Sequence, residues 1–206
     1  PKTYAKLFVN LPNQALKDAL LHGKWVIEGQ YFGEWAERKI LPDPATGQDR
    51  EVPWHVVDTL PTYRGRPVSV VKHFEIVRAV DWGYAETGNP GCCLWFVILT
   101  DGSAIGFQEF YFHTLLPSEA AAEILRRSEG MKVRYTVGET AMWQGHTGPS
   151  GAEEFAKAGL AMVEADKVRE AGWVQVHIWL RDTVSTGLET YPRLRFLRDG
   201  CPRTIR

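Results

Sequence analysis

Two acidic residues, Asp81 and Glu139, each follow a largely apolar run, and together they could bind a divalent cation. The run 76–80 ends at Asp81, and the run 133–137 ends at Gly138 and Glu139. Two carboxylates held close together resist simultaneous ionisation unless a cation neutralises them. Hard oxygen ligands favour Mg²⁺ or Mn²⁺. The alternatives are that Asp81 caps a turn and that Glu139 is a surface acid after a strand.

The elements around these acids are predicted from apolar runs and turn residues. We expect strands at 74–81, 92–100 and 103–112, with Asp101-Gly102 closing the hairpin between the last two. Pro117 begins a helix that ends before Gly130, and a fourth strand follows at 132–137. Three antiparallel strands, a helix and a fourth strand beside the first form the opening of the RNase H-like fold. The sequence therefore predicts an α/β mixed sheet flanked by helices, with Asp81 and Glu139 in one pocket.

Outside this core, residues 1–75 are interpreted as an extended and helical lead-in to a domain at 76–206. Within the lead-in we expect a helix at 12–21, an extended segment at 24–35 and a polar loop at 42–50. Downstream we expect helices at 152–158 and 167–180 and a short strand at 194–197.

The composition is that of an ordinary globular chain, with 206 residues, 44% hydrophobic residues and a net charge of −1. This balance argues against a nonspecific nucleic-acid-binding protein, although six arginines lie from residue 181 onward. The three cysteines suggest buried thiols in a reducing compartment. No apolar run approaches the roughly 18 residues that a membrane span needs, so we expect no membrane association.

Short motifs along almost the whole chain resemble the C-terminal nuclease domain of bacteriophage large terminase subunits. The similar segments, in order, are 19–25, 28–35, 81–84, 93–95, 101–102, 108–111, 120–124, 138–143, 151–155, 159–160, 165–166, 172–173, 179–180, 192–194 and 201–206. Each motif alone is weak, but their shared order is informative. The chain has no Gly-x-x-x-x-Gly-Lys-Ser/Thr phosphate loop, so the ATPase half of such a protein is not present in it.

The resemblance implies a metal-dependent endonuclease that cuts concatemeric double-stranded viral DNA with little sequence specificity. Asp81 and Glu139 would be catalytic and would hold Mg²⁺ or Mn²⁺ in a two-metal site, with Asp81 bridging two ions about 3.5–4 Å apart. The family's third acidic residue has no match up to Arg206. Implied partners are the terminase ATPase domain, the small terminase subunit and the portal protein, in the cytoplasm of a phage or prophage host.

Other residues are weaker candidates for the site. Glu86 follows Asp81 closely and could be a further metal ligand or a plain loop carboxylate. Glu109 and Asp166 could support the ligands from a second layer, or be a structural strand acid and a helix N-cap respectively. The candidates for DNA binding are Arg126, Arg127, Lys132, Arg193, Arg195 and Arg198.

Two other functions stay open. The first is a non-catalytic module that grips DNA and docks on the portal with an incomplete metal site. The second is an acetyltransferase, in which the glycine-rich stretch 145–151 before a helix would bind acetyl-CoA. The second hypothesis leaves Asp81 unexplained.

Overall fold

A computed structural model describes residues 32–84, 88–145, 148–186 and 189–205, without the side chain of Arg169. The chain divides into two units, Pro1–Trp35 and Ala36–Arg206. Only 32–35 of the first unit are described, and they form a turn in which the Trp35 N–H donates to the Phe32 carbonyl at 3.0 Å. The predicted helix at 12–21 and most of the predicted extended segment at 24–35 lie outside the described residues.

The second unit consists of strands, short helices and connecting turns. Its helices are α1 (Pro117–Arg127), α2 (Gly151–Lys157) and α3 (Arg169–Arg181). Its strands are β1 (Arg38–Pro42), β2 (Asp49–Pro53), β3 (Val56–Val57), β4 (Thr62–Tyr63), β5 (Arg66–Pro67), β6 (Glu75–Tyr84), β7 (Pro90–Ile98), β8 (Ala104–Phe112), β9 (Val133–Gly138), β10 (Val163–Glu164), β11 (Thr183–Ser185), β12 (Thr190–Pro192) and β13 (Leu194–Leu197).

The main sheet has seven strands in the order β10-β9-β6-β7-β8-β13-β3. Strands β6, β7 and β8 are antiparallel neighbours, whereas β9 returns through α1 to lie parallel to β6. The predicted strands, helix and order of this central part are confirmed, and the fold class is α/β with a mixed sheet. The Asp101-Gly102 turn is also confirmed: Gly102 has a φ of +79°, and the Asp101 carboxylate accepts the Ser103 N–H at 2.8 Å.

The two edge strands of the main sheet, β10 and β3, were not predicted by the sequence pattern, whereas β13 confirms the short strand predicted at 194–197. On one side, β10 pairs in parallel with β9. On the other side, β13 pairs in parallel with both β8 and β3. Because β3 comes from 56–57, part of the predicted lead-in is a strand of the same sheet as β6. Three separate two-stranded sheets, β1-β2, β4-β5 and β11-β12, complete the strand pairing of the described residues.

The hydrophobic core lies on one face of the sheet, under α1 and α2. Strand β6 alternates so that Ile76 and Val80 are buried, and they pack in one cluster with Ile124 of α1 and Phe155 of α2. The charged side chains of helix α1 complement its dipole, with Glu119 in the first turn and basic residues in the last. No helix among the described residues is long and apolar enough to cross a membrane.

Candidate functional site

Asp81 and Glu139 lie side by side where the pairing between the parallel strands β6 and β9 ends, and β6 itself continues to Tyr84. The register pairs Ala79 with Val137 and Val80 with Gly138, and the Glu139 N–H donates to the Val80 carbonyl at 3.1 Å. Glu139 keeps an extended backbone, with φ −61° and ψ 144°. Because side chains alternate along extended strands and neighbouring strands are about 4.8 Å apart, Asp81 and Glu139 project from the same face, side by side.

The end of β6 is fixed by a bulge and by an aromatic anchor. The register with β7 shifts between Asp81 and Tyr84. A Cβ at Gly83 would overlap the Asn89 carbonyl and lie 2.7 Å from the Pro90 carbonyl oxygen, so only glycine admits this approach of the chain's own backbone. Trp82 points to the core face, where its Nε1–H donates to the Leu115 carbonyl at 3.4 Å. These contacts hold the backbone on the C-terminal side of Asp81.

The turn that carries Glu139 is fixed by a second aromatic residue. A 3₁₀ turn, Thr140–Trp143, follows Glu139 and folds back over the strand end. A Cβ at Gly138 would lie 3.0 Å from the Trp143 ring and 3.2 Å from the Met162 sulfur, so a small residue is needed before Glu139. The Met142 N–H donates to the Glu139 carbonyl at 3.0 Å and closes the turn.

The two acids face an open surface. Asp81 and Ala79 are exposed, Glu139 is half-buried, and Tyr135, on the same face of β9, is 43% exposed. Two clefts, of about 570 and 520 Å³, lie elsewhere; the larger is bordered by the β1-β2 and β11-β12 hairpins. An open strip of sheet suits a broad ligand better than a small molecule that needs to be enclosed.

Asp81 and Glu139 are two oxygen donors of the kind that Mg²⁺ prefers, without a third protein ligand beside them in the described residues. Within the described residues, no three His, Cys, Asp or Glu side chains form a group that could hold a metal ion. Mg²⁺ is commonly bound by only one or two protein carboxylates, with waters and substrate phosphates completing the shell. Asp81 and Glu139 are therefore a chemically sufficient pair of protein ligands for such an ion.

The remaining acidic candidates have different positions. Glu86 lies outside the described residues. The Glu109 carboxylate accepts the backbone N–H groups of Arg203 at 2.7 Å and Thr204 at 3.0 Å, so it fastens the C-terminal turn. Asp166 accepts the Val168 N–H at 3.0 Å, and Val168 is the N-cap of α3. The interpretation of Asp166 as that N-cap is therefore wrong by two residues.

Cys92 and Tyr111 lie beside the acid pair, and the sequence analysis did not single them out. The antiparallel register pairs Asp81 with Cys92 and Cys92 with Tyr111, so all three project from one face. Burial, with smaller contributions from the nearby Glu109 and Asp81 carboxylates, raises the pKa of the Cys92 thiol to about 11. Cys92 is thus a protonated thiol at neutral pH and not an available nucleophile. The cross-strand row formed by Asp81, Cys92 and Tyr111 could have been predicted only from the strand register.

The predicted DNA-binding residues are dispersed, and most have partners within the protein. Arg126 and Arg127 both bind Glu123 at 2.7 Å, on α1 and hence on the face opposite Asp81. Lys132 lies 3.7 Å from Glu75, before the start of β9 and far from Glu139.

The three arginines of and next to β13 are separated from β6 by two strands. Arg193 donates to the Gly102 carbonyl, Arg195 stacks over Tyr191, and Arg198 binds Asp58 and Glu37 at 2.8 and 2.9 Å. The structure does not bring these candidates together with the acid pair.

Helix α2 begins with a capping box formed by Ser150 and Glu153; in the glycine-rich stretch 145–151 before it, residues 146 and 147 lie outside the described residues. The Ser150 hydroxyl accepts the Glu153 N–H at 3.2 Å, and the Glu153 carboxylate accepts the Ser150 N–H at 2.7 Å. This is a capping box, which satisfies the amides that a bound phosphate would require. The geometry gives the acetyl-CoA hypothesis no support at Ser150.

Comparison of the sequence with models of known protein families gives no match, and comparison with curated proteins gives none.

Proposed function

We propose that the chain is a metal-dependent DNA endonuclease domain with an RNase H-like fold, of the kind found in phage large terminase subunits. The observation that carries the proposal is the placement of Asp81 and Glu139 on one face, side by side where the pairing of the parallel strands β6 and β9 ends. The strand order β8-β7-β6-β9 agrees with the order expected for such a fold, and β10 extends it in parallel.

Within this proposal, Asp81 and Glu139 hold Mg²⁺ or Mn²⁺. Bound there, divalent cations would supply an activated water and would stabilise charge on the phosphate and the leaving oxygen. The protein contributes position: the bulge at Gly83 and the turn after Gly138 fix the backbones that carry the carboxylates. The open face beside them leaves room for a duplex, and double-stranded DNA is the proposed substrate.

The partners and cellular location are proposed from the motif resemblance. The domain would act with the packaging ATPase, the small terminase subunit and the portal in the cytoplasm of the phage host. The second candidate is a non-catalytic module that grips DNA, and it is favoured by the presence of two protein carboxylates instead of three in the described site.

Plasmid cleavage with Mn²⁺, with Mg²⁺ and with EDTA tests the proposal. We expect metal-dependent nicking or linearisation that is lost in Asp81→Asn and in Glu139→Gln. Asp49→Asn is the matched control, because Asp49 is an exposed aspartate on the β1-β2 hairpin.

The two candidate functions give different results. Cleavage that persists in Asp81→Asn would overturn the assignment of the site. Absence of cleavage together with retained, metal-independent DNA binding would favour the gripping module. Metal binding itself is read separately, as a rise in Tm on addition of Mn²⁺ that Asp81→Asn abolishes.

A further inference from the structure

A single arginine on the C-terminal turn lies on the same face of the sheet as the acid pair. Arg203 places its guanidinium carbon 5.0 Å from the centroid of the Tyr111 ring. Tyr111 continues the row that runs from Asp81 through Cys92, across two strand spacings. At about 4.8 Å per spacing, Tyr111 lies about 10 Å from Asp81.

The position of Arg203 is fixed by hydrogen bonds of the turn to β8. Glu109 accepts the backbone N–H of Arg203 at 2.7 Å and the hydroxyl of Thr204 at 2.8 Å. In return, the Glu109 N–H donates to the Gly200 carbonyl at 2.8 Å, and Cys201 is fully buried beneath the turn. The turn is therefore docked on the sheet, and Arg203 is held over Tyr111 at modest entropic cost.

The charge of Arg203 is available to a ligand. In the described part of the chain its guanidinium has no ion pair, unlike those of Arg126 and Arg198. The Cys92 thiol lies near Arg203 and two carboxylates: burial raises its pKa most, Glu109 and Asp81 raise it by smaller amounts, and Arg203 lowers it. A cation held on this face reduces the repulsion that an approaching phosphate backbone would meet from the carboxylates.

We propose that Arg203, stacked on Tyr111, binds a backbone phosphate of the DNA strand whose scissile bond lies at Asp81 and Glu139. This inference rests on the proposed nuclease function. DNA carries one phosphate per strand for each 3.4 Å of helix axis, so a contact about 10 Å away falls within about three phosphates of the bond to be cut. Arg203 is thus a positioning residue for the substrate.

The test measures DNA affinity separately from cleavage, by fluorescence anisotropy of a short labelled duplex in EDTA. Arg203→Gln should weaken binding about threefold to fivefold at low salt. Loss of one phosphate contact should make the slope of log K against log salt shallower by about 0.9. The ratio of variant to wild-type Kd should therefore fall about 3.5-fold between about 50 and about 200 mM salt.

Arg64→Gln is the matched control. Arg64 also stacks on a tyrosine, with its guanidinium carbon 5.4 Å from the Tyr63 ring, and it also has no ion pair among the described residues. It lies in the β4-β5 turn, and Tyr63 contacts Phe74 just before β6 begins, at the end remote from Asp81. Arg64→Gln should leave both affinity and slope unchanged, and Arg203→Lys should keep most of the affinity and the slope.

Two outcomes overturn the inference. One is equal behaviour of Arg203→Gln and Arg64→Gln; the other is weaker binding by Arg203→Gln with an unchanged slope, which would indicate a displaced turn instead of a lost phosphate contact. The nuclease proposal is tested separately. Cleavage that is absent, or that persists in Asp81→Asn, would refute it without changing the DNA affinities measured by anisotropy. Thermal unfolding of Arg203→Gln verifies that the variant is folded.

Discussion

Replacing Ser128 should destabilise the protein more than removing the buried charge that it binds. Ser128 follows α1, and its hydroxyl oxygen accepts hydrogen bonds from Arg78 on β6 and from Trp95 on β7, both at 2.9 Å. Arg78 is 6% exposed and also donates to Thr136 on β9 at 3.0 Å. Among the described residues no carboxylate contributes to this network, and burial lowers the pKa of Arg78. The network joins the two strands that carry the acid pair.

The expected magnitudes follow from which groups are left without partners. Ser128→Ala strands two buried donors, one of them charged, at about 1–3 kcal/mol each, so we expect a loss of roughly 3–5 kcal/mol. Arg78→Met instead removes the charged donor and its desolvation cost, and Ser128 keeps its bonds to Trp95 and to the Ile124 carbonyl. Replacing a buried charge with an apolar group of similar length is often close to neutral, but the buried Thr136 hydroxyl loses its bond from Arg78, so we expect a loss of about 1–2 kcal/mol.

Urea unfolding at 25 °C measures the comparison. With an m-value of about 2 kcal/mol/M, Ser128→Ala should lower the midpoint by about 2 M. In an Arg78→Met background the same substitution should cost about half as much, because only the Trp95 donor is then stranded. Ser118→Ala, at an exposed position of α1, is the control and should change stability by less than about 0.5 kcal/mol. A larger loss in Arg78→Met than in Ser128→Ala would refute this reasoning.

Two further predictions concern the strand ends beside the site. Gly83→Ala should cost about 1–3 kcal/mol in thermal or urea unfolding and weaken the Mn²⁺-dependent rise in Tm, because the new Cβ would overlap the backbone at Pro90. Gly172→Ala, which meets open space on α3, should instead stabilise by about 0.5–1 kcal/mol, and equal effects of the two would contradict the argument. Stability should fall as pH rises from 9 to 11, because the unfolded chain releases the Cys92 proton near 9.0 while the folded chain keeps it until about 11. Cys92→Ala should make that fall shallower in unfolding curves measured across this range, and an unchanged fall would show that Cys92 does not contribute to it.

The central strands could be predicted from the sequence because their signals are local. Strands β6 to β9 are apolar runs bounded by turn residues, and the Asp101-Gly102 pair specifies its turn through its own backbone preferences. Helix α1 likewise begins at a proline and carries charges that match its dipole. The positions of Asp81 and Glu139 after apolar runs follow from these same patterns, although β6 continues past Asp81 to Tyr84.

The edges of the sheet and the surroundings of the acid pair were decided by tertiary contacts. Strands β3 and β10 have two residues each, too few for a periodic signal, and they are strands only because a longer neighbour pairs with them. The contact of Glu109 with the turn at Arg203 and Thr204 joins residues about 95 positions apart in the chain, so no local pattern could predict it.

The α/β pattern, the two acids and their placement after apolar runs follow from local sequence patterns. Strand pairing places Asp81 in a row with Cys92 and Tyr111 and puts the predicted basic residues elsewhere, which no local pattern specifies. The physical reason is strand register: a shift of one residue moves every side chain of a strand to the opposite face, and that shift is set by hydrogen bonds and bulges between distant segments.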